Sequence, residues 1–315
     1  MEEAELIWFN GEFVPWAEAK VHVLTHGLHY GTSVFEGIRA YETEAGPAVF
    51  RHVEHLDRLH QSAGMFHMEI PWTTEQMRAA TKELILRNGL RHCYIRPIAM
   101  RGYGVMGLNP LDAPVDVVIA VWPWGSYLGE EGKRDGIRAK VSSWRRFGND
   151  SLIPHAKTSG QYLNSVLAKV ESLKAGYDEA ILLDGTGVVS EGSGENIFVV
   201  RDGRVYEPPP TASVLDGITR RTIHDLAADE GIEIQPRDIA RAELYLADEV
   251  FMTGTAAEVV PVREIDDRPV GSGEPGPITR TLQSRYDDAV HGRDPSHVDW
   301  LDPVEAPAGS SAGGM

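Results

Sequence analysis

Disulfides cannot shape this chain, because Cys93 is its only cysteine. A single thiol also fits a reducing compartment. Basic charge is scarce as well: 30 Lys and Arg face 47 Asp and Glu, a formal net charge of −17. Such a surface repels nucleic acid and anionic membranes, so an anionic substrate needs a local basic site to capture it. No apolar run approaches the roughly 20 residues that span a bilayer, and the acidic start Met1-Glu2-Glu3 is unlike a secretory signal. Lysine itself is rare, 7 against 23 Arg.

What is present is an ordinary globular composition, 42% apolar and 24% charged over 315 residues, more than one core usually holds. Two domains are expected. The boundaries read as 1–123 for a smaller N-terminal domain, 124–136 for a glycine-rich charged connection, 137–301 for a larger C-terminal domain, and 302–315 for a disordered tail.

Patterning supports an α+β chain. Asn10-Gly11 marks a hairpin. Strands follow near 33–41 and 48–50, then a helix over 52–65 with Val53, Leu56, Leu59 and Ala63 at helical spacing. A helix from Thr74 stops at Gly89, and strands at 93–100 and 115–121 close the first part. Later come a strand over 137–144, a helix over 161–175, hairpins around 184–187 and 202–203, a helix opened by Gly217, a strand at 249–252 and a helix over 277–290.

Lys157 stands between a strand and a helix, in Ile153-Pro-His-Ala-Lys-Thr-Ser-Gly-Gln-Tyr-Leu-Asn-Ser165, with no charged neighbour. A lysine amine does carbonyl chemistry when burial or a nearby cation lowers its pKa, and arginine cannot replace it. If Lys157 carries an aldehyde cofactor such as pyridoxal phosphate, three needs follow: an acid for the ring nitrogen, a cradle for the phosphate, and a cavity that recognises a carboxylate. Glu191 and Glu195 both lie in a glycine-rich turn and both meet the first need by spacing. The helix start Gly217-Ile218-Thr219 offers free N–H groups and a hydroxyl to an anion. Gly254-Thr255-Ala256 offers more, and Arg58 supplies fixed positive charge.

Three other patterns carry less. Gly271-Ser-Gly-Glu-Pro-Gly276 matches G-x-G-x-x-G, but Arg268-Pro269 precede it and a proline sits inside, so a connecting loop is expected. His22, His26 and His29 have no carboxylate or cysteine to complete a shell, and no metal centre is expected. Asn149-Asp-Ser151 is a formal glycosylation sequon without a secretory context.

The specific signal is an ordered set: Tyr-Gly-Thr-Ser-Val-Phe-Glu-Gly-Ile-Arg (30–39), Tyr-Ile-Arg-Pro (94–97), Lys-Thr-Ser-Gly-Gln-Tyr-Leu-Asn-Ser (157–165), Ser-Glu-Gly-Ser-Gly-Glu-Asn (190–196), Gly-Ile-Thr-Arg (217–220) and Asp-Glu-Val-Phe-Met-Thr-Gly-Thr-Ala-Ala-Glu (248–258). Over about residues 5 to 301 the chain resembles the branched-chain-amino-acid aminotransferases, class IV enzymes of fold-type IV that use pyridoxal 5'-phosphate. The resemblance implies an α+β fold with a small N-terminal α/β sandwich-like domain and a larger C-terminal domain with a mostly β, barrel-like core and surrounding helices. It makes Lys157 the Schiff-base lysine and proton shuttle and selects Glu191 over Glu195 as partner of the ring nitrogen. Arg58, Ile218, Thr219 and Thr255 then hold the phosphate, and Tyr162 the ring oxygen.

For substrate the same likeness puts Tyr94 and the Thr255-Ala256 amides at the α-carboxylate and leaves Arg96 for the distal carboxylate of glutamate or 2-oxoglutarate. Tyr30, Phe35, Tyr162 and Trp124 line the apolar pocket. Leu108 closes the pocket of a neighbouring subunit in a homodimer or homohexamer. The implied reaction is double displacement between L-leucine, L-isoleucine or L-valine and 2-oxoglutarate, in the cytoplasm. A D-amino-acid transaminase or an aminodeoxychorismate-lyase-like enzyme is the nearest alternative on this fold.

Overall fold

The computed structural model describes residues 2–125 and 128–304. Two compact units divide the chain: residues up to Trp124 together with those from Ala289, and Gly125–Asp288.

The first unit opens with the hairpin β1 (Leu6–Phe9) and β2 (Glu12–Pro15), turning at Asn10-Gly11. A short helix α1 (His26–Tyr30) leads into β3 (Ser33–Phe35), β4 (Ile38–Thr43) and β5 (Gly46–Phe50). Helices α2 (His52–Met65) and α3 (Thr74–Arg87) precede the long antiparallel pair β6 (Cys93–Arg101) and β7 (Val115–Trp122). Thr73 caps α3 in a full capping box with Gln76.

The two-residue period of the strands sorts this sheet into two faces. Ile38 and Ala40, Cys93, Ile95 and Ala99, and Val117, Ile119 and Val121 enter the core with Leu56 and Leu59 of α2 and Leu84 and Ile85 of α3. The intervening residues, Tyr94 and Arg96 on β6 and Trp122 on β7, therefore point to the other face. On α2 the inward stripe is Leu56, Leu59 and Ala63 with His55 and Arg58 beside it. Val53, expected inside, is 41% exposed, because the buried arc is centred one residue further round, on His52, His55 and Leu59.

The second unit begins with a helix, α4 (Gly129–Asp135), inside the stretch expected to be a loose connection. Its Lys133 pairs with Glu258, and its backbone carbonyl accepts from Gln283 Nε2 at 2.9 Å, which fixes the helix despite its glycines. Then come β8 (Ile137–Arg145), α5 (Tyr162–Lys174), β9 (Glu179–Leu183), β10 (Val189–Gly192), β11 (Asn196–Arg201) and β12 (Arg204–Glu207). α6 (Ile218–Asp229), β13 (Ile234–Pro236), α7 (Arg241–Leu244), β14 (Glu249–Gly254), β15 (Glu258–Ile265), β16 (Arg268–Pro269) and α8 (Pro277–Val290) follow.

The sheet runs β10-β9-β8-β15-β14-β11-β12-β13 and mixes parallel pairs (β8 with β9 and β15, β12 with β13) with antiparallel ones. α5 is the crossover between the parallel strands β8 and β9, so the Lys157 loop lies beyond the carboxyl end of β8, where open parallel sheets place ligands. A second core of Ile137, Val141, Ile181, Ile197, Met252 and Val260 fills this sheet.

From Ala289 the chain belongs to the first unit, not to the second up to 301 as the sequence suggested. Its last strand β17 (Leu301–Pro303) pairs with β5, and Asp302 is bound by Arg78 (2.6 Å), Lys82 (2.8 Å) and His52 (2.7 Å). Disorder expected from 302 thus does not begin there; the rest of that expectation, 305–315, lies outside the described residues. No helix among the described residues is long and apolar enough to cross a membrane.

Candidate active site

Lys157 sits two residues before the short 3-10 turn that starts α5, and Tyr162 is the first residue of that helix. The geometry brings them together: Lys157 Nζ donates to Tyr162 Oη at 2.5 Å. Beside the lysine, Thr158 Oγ1 is buried and has no hydrogen-bond partner among the described residues.

Glu191 and Glu195, equal by spacing, are placed very differently. Glu191 is buried and meets Arg146 Nη2 at 2.6 Å, while its second oxygen accepts from Leu215 N (2.9 Å) and Asn196 Nδ2 (3.3 Å). Glu195 is also buried but folds back on its own turn, accepting from Gly194 N at 3.0 Å. Burial, reinforced by Glu179, pushes its carboxyl up to about 8, against the opposing pull of Lys169. A carboxyl held protonated is a poor partner for a ring cation; the arginine-paired Glu191 is the better candidate.

Gly217 is the N-cap of α6 and brings no side-chain cap, so no side chain of its own competes for the first N–H groups of the helix. Ile218 and Thr219 are both buried. A Cβ at Gly217 would fall 2.0 Å from Asn196 Oδ1, so only glycine fits where this helix start meets the Glu191 cluster. Thr255 and Ala256 form the turn between β14 and β15 and are half-buried. Amine with phenol, arginine-paired carboxyl group, helix start without a side-chain cap and a buried hydroxyl together fit a phosphorylated pyridine aldehyde.

In the first unit, Tyr94 and Arg96 project side by side from β6, as i and i+2 residues must. Arg96 Nη2 donates to Tyr94 Oη at 3.3 Å, and its guanidinium carbon lies 4.7 Å from the centre of the Phe35 ring. Tyr94 also packs on Trp122 and Trp124, at centroid distances of 5.1 and 4.7 Å. Arg96 Nε and Trp122 Nε1 are buried without hydrogen-bond partners among the described residues. Gly37 makes room for this group, since a Cβ there would lie 2.0 Å from Tyr94 Oη.

Arg58 is held by Glu36, a residue to which the sequence assigned no role. Arg58 Nε and Nη2 donate to the two Glu36 oxygens at 2.6 and 2.9 Å, and His55 Nδ1 lies 2.8 Å from Oε2. Burial pushes the Glu36 carboxyl up, but the Arg58 and His55 contacts outweigh it and hold the group well below the usual carboxylate range. Tyr30 packs against His26 with tilted rings (centroids 4.6 Å apart), and His26 Nε2 lies 2.8 Å from Gly107 O, which ties α1 to the loop carrying Leu108. Leu108 itself is 88% exposed.

Sequence reasoning missed Glu36 and Arg146. Glu36 lies inside a quoted motif, where a carboxylate between Phe and Gly was a usable signal. Arg146, in Trp144-Arg-Arg-Phe147, reads as surface charge, and only the fold turns it inward. The other patterns resolve as structure. His26 bonds Thr32 Oγ1 (2.7 Å), His22 accepts from Leu24 N, and His29 contacts Val23 O. Among the described residues no group of His, Cys, Asp or Glu is placed to hold a metal ion. Gly271–Gly276 precedes α8, whose start is taken by Glu249, accepting from Ile278 N and Thr279 N at 3.1 and 2.7 Å; a phosphate has no place there. Asn149 Nδ2 donates to Thr211 O at 3.2 Å.

Known proteins resemble this chain along most of its length. The family model described as amino-transferase class IV matches residues 33–265. A branched-chain-amino-acid aminotransferase of Pseudomonas aeruginosa is 48% identical over 295 residues, 94% of this chain and 96% of that protein. The crystal structure of the Escherichia coli branched-chain amino acid aminotransferase superposes with a TM-score of 0.94 at 47% identity, covering 96% of this chain and all of that one. A T.th. branched-chain amino acid aminotransferase complexed with N-(5'-phosphopyridoxyl)-L-glutamate gives 0.91 at 50% identity, over 97% of this chain and 100% of that chain.

Proposed function

This chain belongs to the class IV aminotransferases, and from that premise we propose that it transfers the amino group of L-leucine, L-isoleucine or L-valine to 2-oxoglutarate, giving the branched 2-oxo acid and L-glutamate. Class IV aminotransferases are pyridoxal phosphate enzymes, and the phosphopyridoxyl-glutamate in a relative half identical to this chain supports the same cofactor here. Bound pyridoxal phosphate supplies an electron sink that makes the substrate α-proton acidic.

The remaining work falls to the side chains. Lys157 Nζ would hold the cofactor's aldehyde carbon, and its amine would take the α-proton and return it as general base and acid. Tyr162 Oη, 2.5 Å away, orients that amine. Glu191 would pair with the ring nitrogen, and Ile218, Thr219, Thr255 and Arg58 would hold the phosphate. Tyr94 and the Thr255-Ala256 amides receive the α-carboxylate. Tyr30, Phe35 and Trp124 supply apolar wall for a leucine side chain, and Arg96 supplies the charge that a distal carboxylate needs.

We place the enzyme in the cytoplasm, in branched-chain amino-acid synthesis, as a homodimer or homohexamer in which Leu108 reaches the pocket of a neighbouring subunit. The lone buried Cys93 and the 88% exposure of Leu108 support those two parts of the proposal. The observation that carries the activity is the 2.5 Å Lys157–Tyr162 contact in a unit that also buries Glu191 against Arg146.

The test is spectroscopic and kinetic. Purified protein with pyridoxal phosphate should be yellow, its visible band should shift with L-leucine, and 2-oxoglutarate should complete turnover. A colourless protein that cannot be reconstituted overturns the reading; consumption of D-alanine with L-leucine untouched replaces it with a D-amino-acid transaminase.

A further inference from the structure

Arg146 follows directly on β8 and is 9% exposed. Its guanidinium reaches three separate pieces of the second unit. Nη2 meets Glu191 Oε1 at 2.6 Å, Nη1 donates to Ser165 Oγ at 3.4 Å, and Nε donates to the Ser213 carbonyl at 3.4 Å. The Phe147 ring lies 4.3 Å from its central carbon. Ser165 is on α5, three residues after Tyr162; Ser213 lies in the segment that runs into α6; Glu191 belongs to β10.

The network continues from Glu191. Its Oε2 accepts from Leu215 N at 2.9 Å and Asn196 Nδ2 at 3.3 Å, and Asn196 Nδ2 also donates to Leu215 O at 2.9 Å. The Asn196 amide oxygen in turn occupies the space that a Cβ on Gly217 would need. One arginine thus joins, through a hydrogen-bonded chain, the helix bearing Tyr162, the carboxylate of Glu191 and the segment from Ser213 to Leu215 that leads into α6.

We propose that Arg146 is the positioning residue that keeps Glu191 ionised and aimed at the cofactor ring nitrogen, and so sets how tightly, and over what pH range, pyridoxal phosphate is held. The inference rests on the proposed function, which assigns Glu191 to that nitrogen. Desolvation penalises a buried carboxylate that has no opposite charge beside it, and Arg146 Nη2 is the charged group that meets Glu191, at 2.6 Å. Arginine is suited to offset that penalty, since it stays protonated at any working pH and its planar fork fixes the direction of the carboxylate. A neutral Glu191 could no longer balance a protonated ring nitrogen, and the cofactor would be lost first at low pH.

The experiment measures the pyridoxal phosphate dissociation constant of the full-length apo chain by equilibrium dialysis between about pH 6 and about pH 9, for wild type, Arg146→Gln and Arg146→Lys, with apo melting temperatures alongside. Arg146→Gln should bind about tenfold or more weakly at the acid end, one pKa unit on Glu191 being worth a factor of ten, and should approach wild type as the pH rises; Arg146→Lys should recover most of the loss. Wild-type affinity and profile in Arg146→Gln overturns the proposal, as does a loss that is uniform in pH and accompanied by a lower apo melting temperature, the signature of a purely structural strut. Should Arg146→Gln fail to fold, the cycle of Arg146→Lys with Glu191→Gln decides: the lysine effect on affinity must vanish when Glu191 is already Gln, and equal losses in both backgrounds overturn the proposal. Wild type that binds no pyridoxal phosphate removes the functional reading and this inference together, whereas wild type that binds with an unaltered Arg146→Gln profile removes this inference alone.

Discussion

Arg58 and Glu36 close on each other through two parallel contacts, Nε to Oε1 at 2.6 Å and Nη2 to Oε2 at 2.9 Å, with the carboxylate fully buried. The fork fixes the plane of the one guanidinium on α2 that the proposed function needs. Removing one partner of a buried ion pair strands the other charge, so Glu36→Gln should destabilise the chain by about 3–5 kcal/mol, read from the urea midpoint.

The pH dependence of that loss has a definite sign. Arg58 and His55 depress the folded pKa of Glu36 despite its burial. Its stabilising contribution is therefore complete above the unfolded value of roughly 4.3 and is lost as the pH falls below it. The stability gap between wild type and Glu36→Gln should narrow from about pH 4 downward; a gap that stays constant to about pH 2 contradicts the pairing.

Glu195 behaves in the opposite sense. Burial first, then the Glu179 charge, pushes its carboxyl up to about 8, while Lys169, 2.5 Å from Glu179, pulls the other way. Folding thus favours the protonated form, and the advantage shrinks as pH rises from the unfolded value of roughly 4.3 and is gone once pH passes the folded value. Glu195→Gln should melt with wild type near pH 5 and above it by several degrees near pH 9. Equal melting temperatures at both pH values would show that Glu195 is ionised at neutral pH.

The framework of this fold was legible where periodicity or turn chemistry acts locally. The Asn10-Gly11 hairpin, α2 over His52–Met65, and α8 over Pro277–Val290 all follow from patterns within a few residues. β15 was not legible: it is buried on both faces and carries Pro261, which reads as a breaker, yet here Pro261 sits opposite Phe251 in the interior of the sheet. β17 was hidden for a similar reason, since its order comes from Asp302 meeting Arg78, Lys82 and His52 more than 200 residues away. Among candidate site residues, motif order selected Lys157 and Glu191, but the partners that make them plausible chemically, Tyr162 at 2.5 Å and Arg146 at 2.6 Å, are distances that no spacing encodes.

Lys157 and Tyr162 give a prediction that separates chemistry from folding. Lys157 is in a loop and contributes little to either core, so Lys157→Ala should melt near wild type while turnover falls by at least about a thousandfold, the scale of a lost general acid and base. Tyr162→Phe keeps the amine and removes one hydrogen bond, so a smaller loss of about tenfold is expected. Steady-state assays with L-leucine and 2-oxoglutarate check both, and near-normal turnover in Lys157→Ala would displace the lysine from the mechanism.

Arg96 offers the sharpest separation between substrates. Its guanidinium sits between the Phe35 ring at 4.7 Å and the Tyr94 hydroxyl at 3.3 Å, and its Nε is buried without a hydrogen-bond partner among the described residues. Leucine brings no second charge and can use the aromatic faces alone, whereas glutamate needs a cation for its distal carboxylate. A charge-assisted hydrogen bond is worth about 1.5–3 kcal/mol, so Arg96→Ala should lower kcat/KM for glutamate and 2-oxoglutarate about 10- to 100-fold while leaving leucine within about threefold. Because Arg96 also props Tyr94, which the proposed function gives to the α-carboxylate common to both substrates, a fault in that shared element would lower both equally. Equal losses would therefore assign Arg96 to positioning Tyr94 and not to reading the second carboxylate.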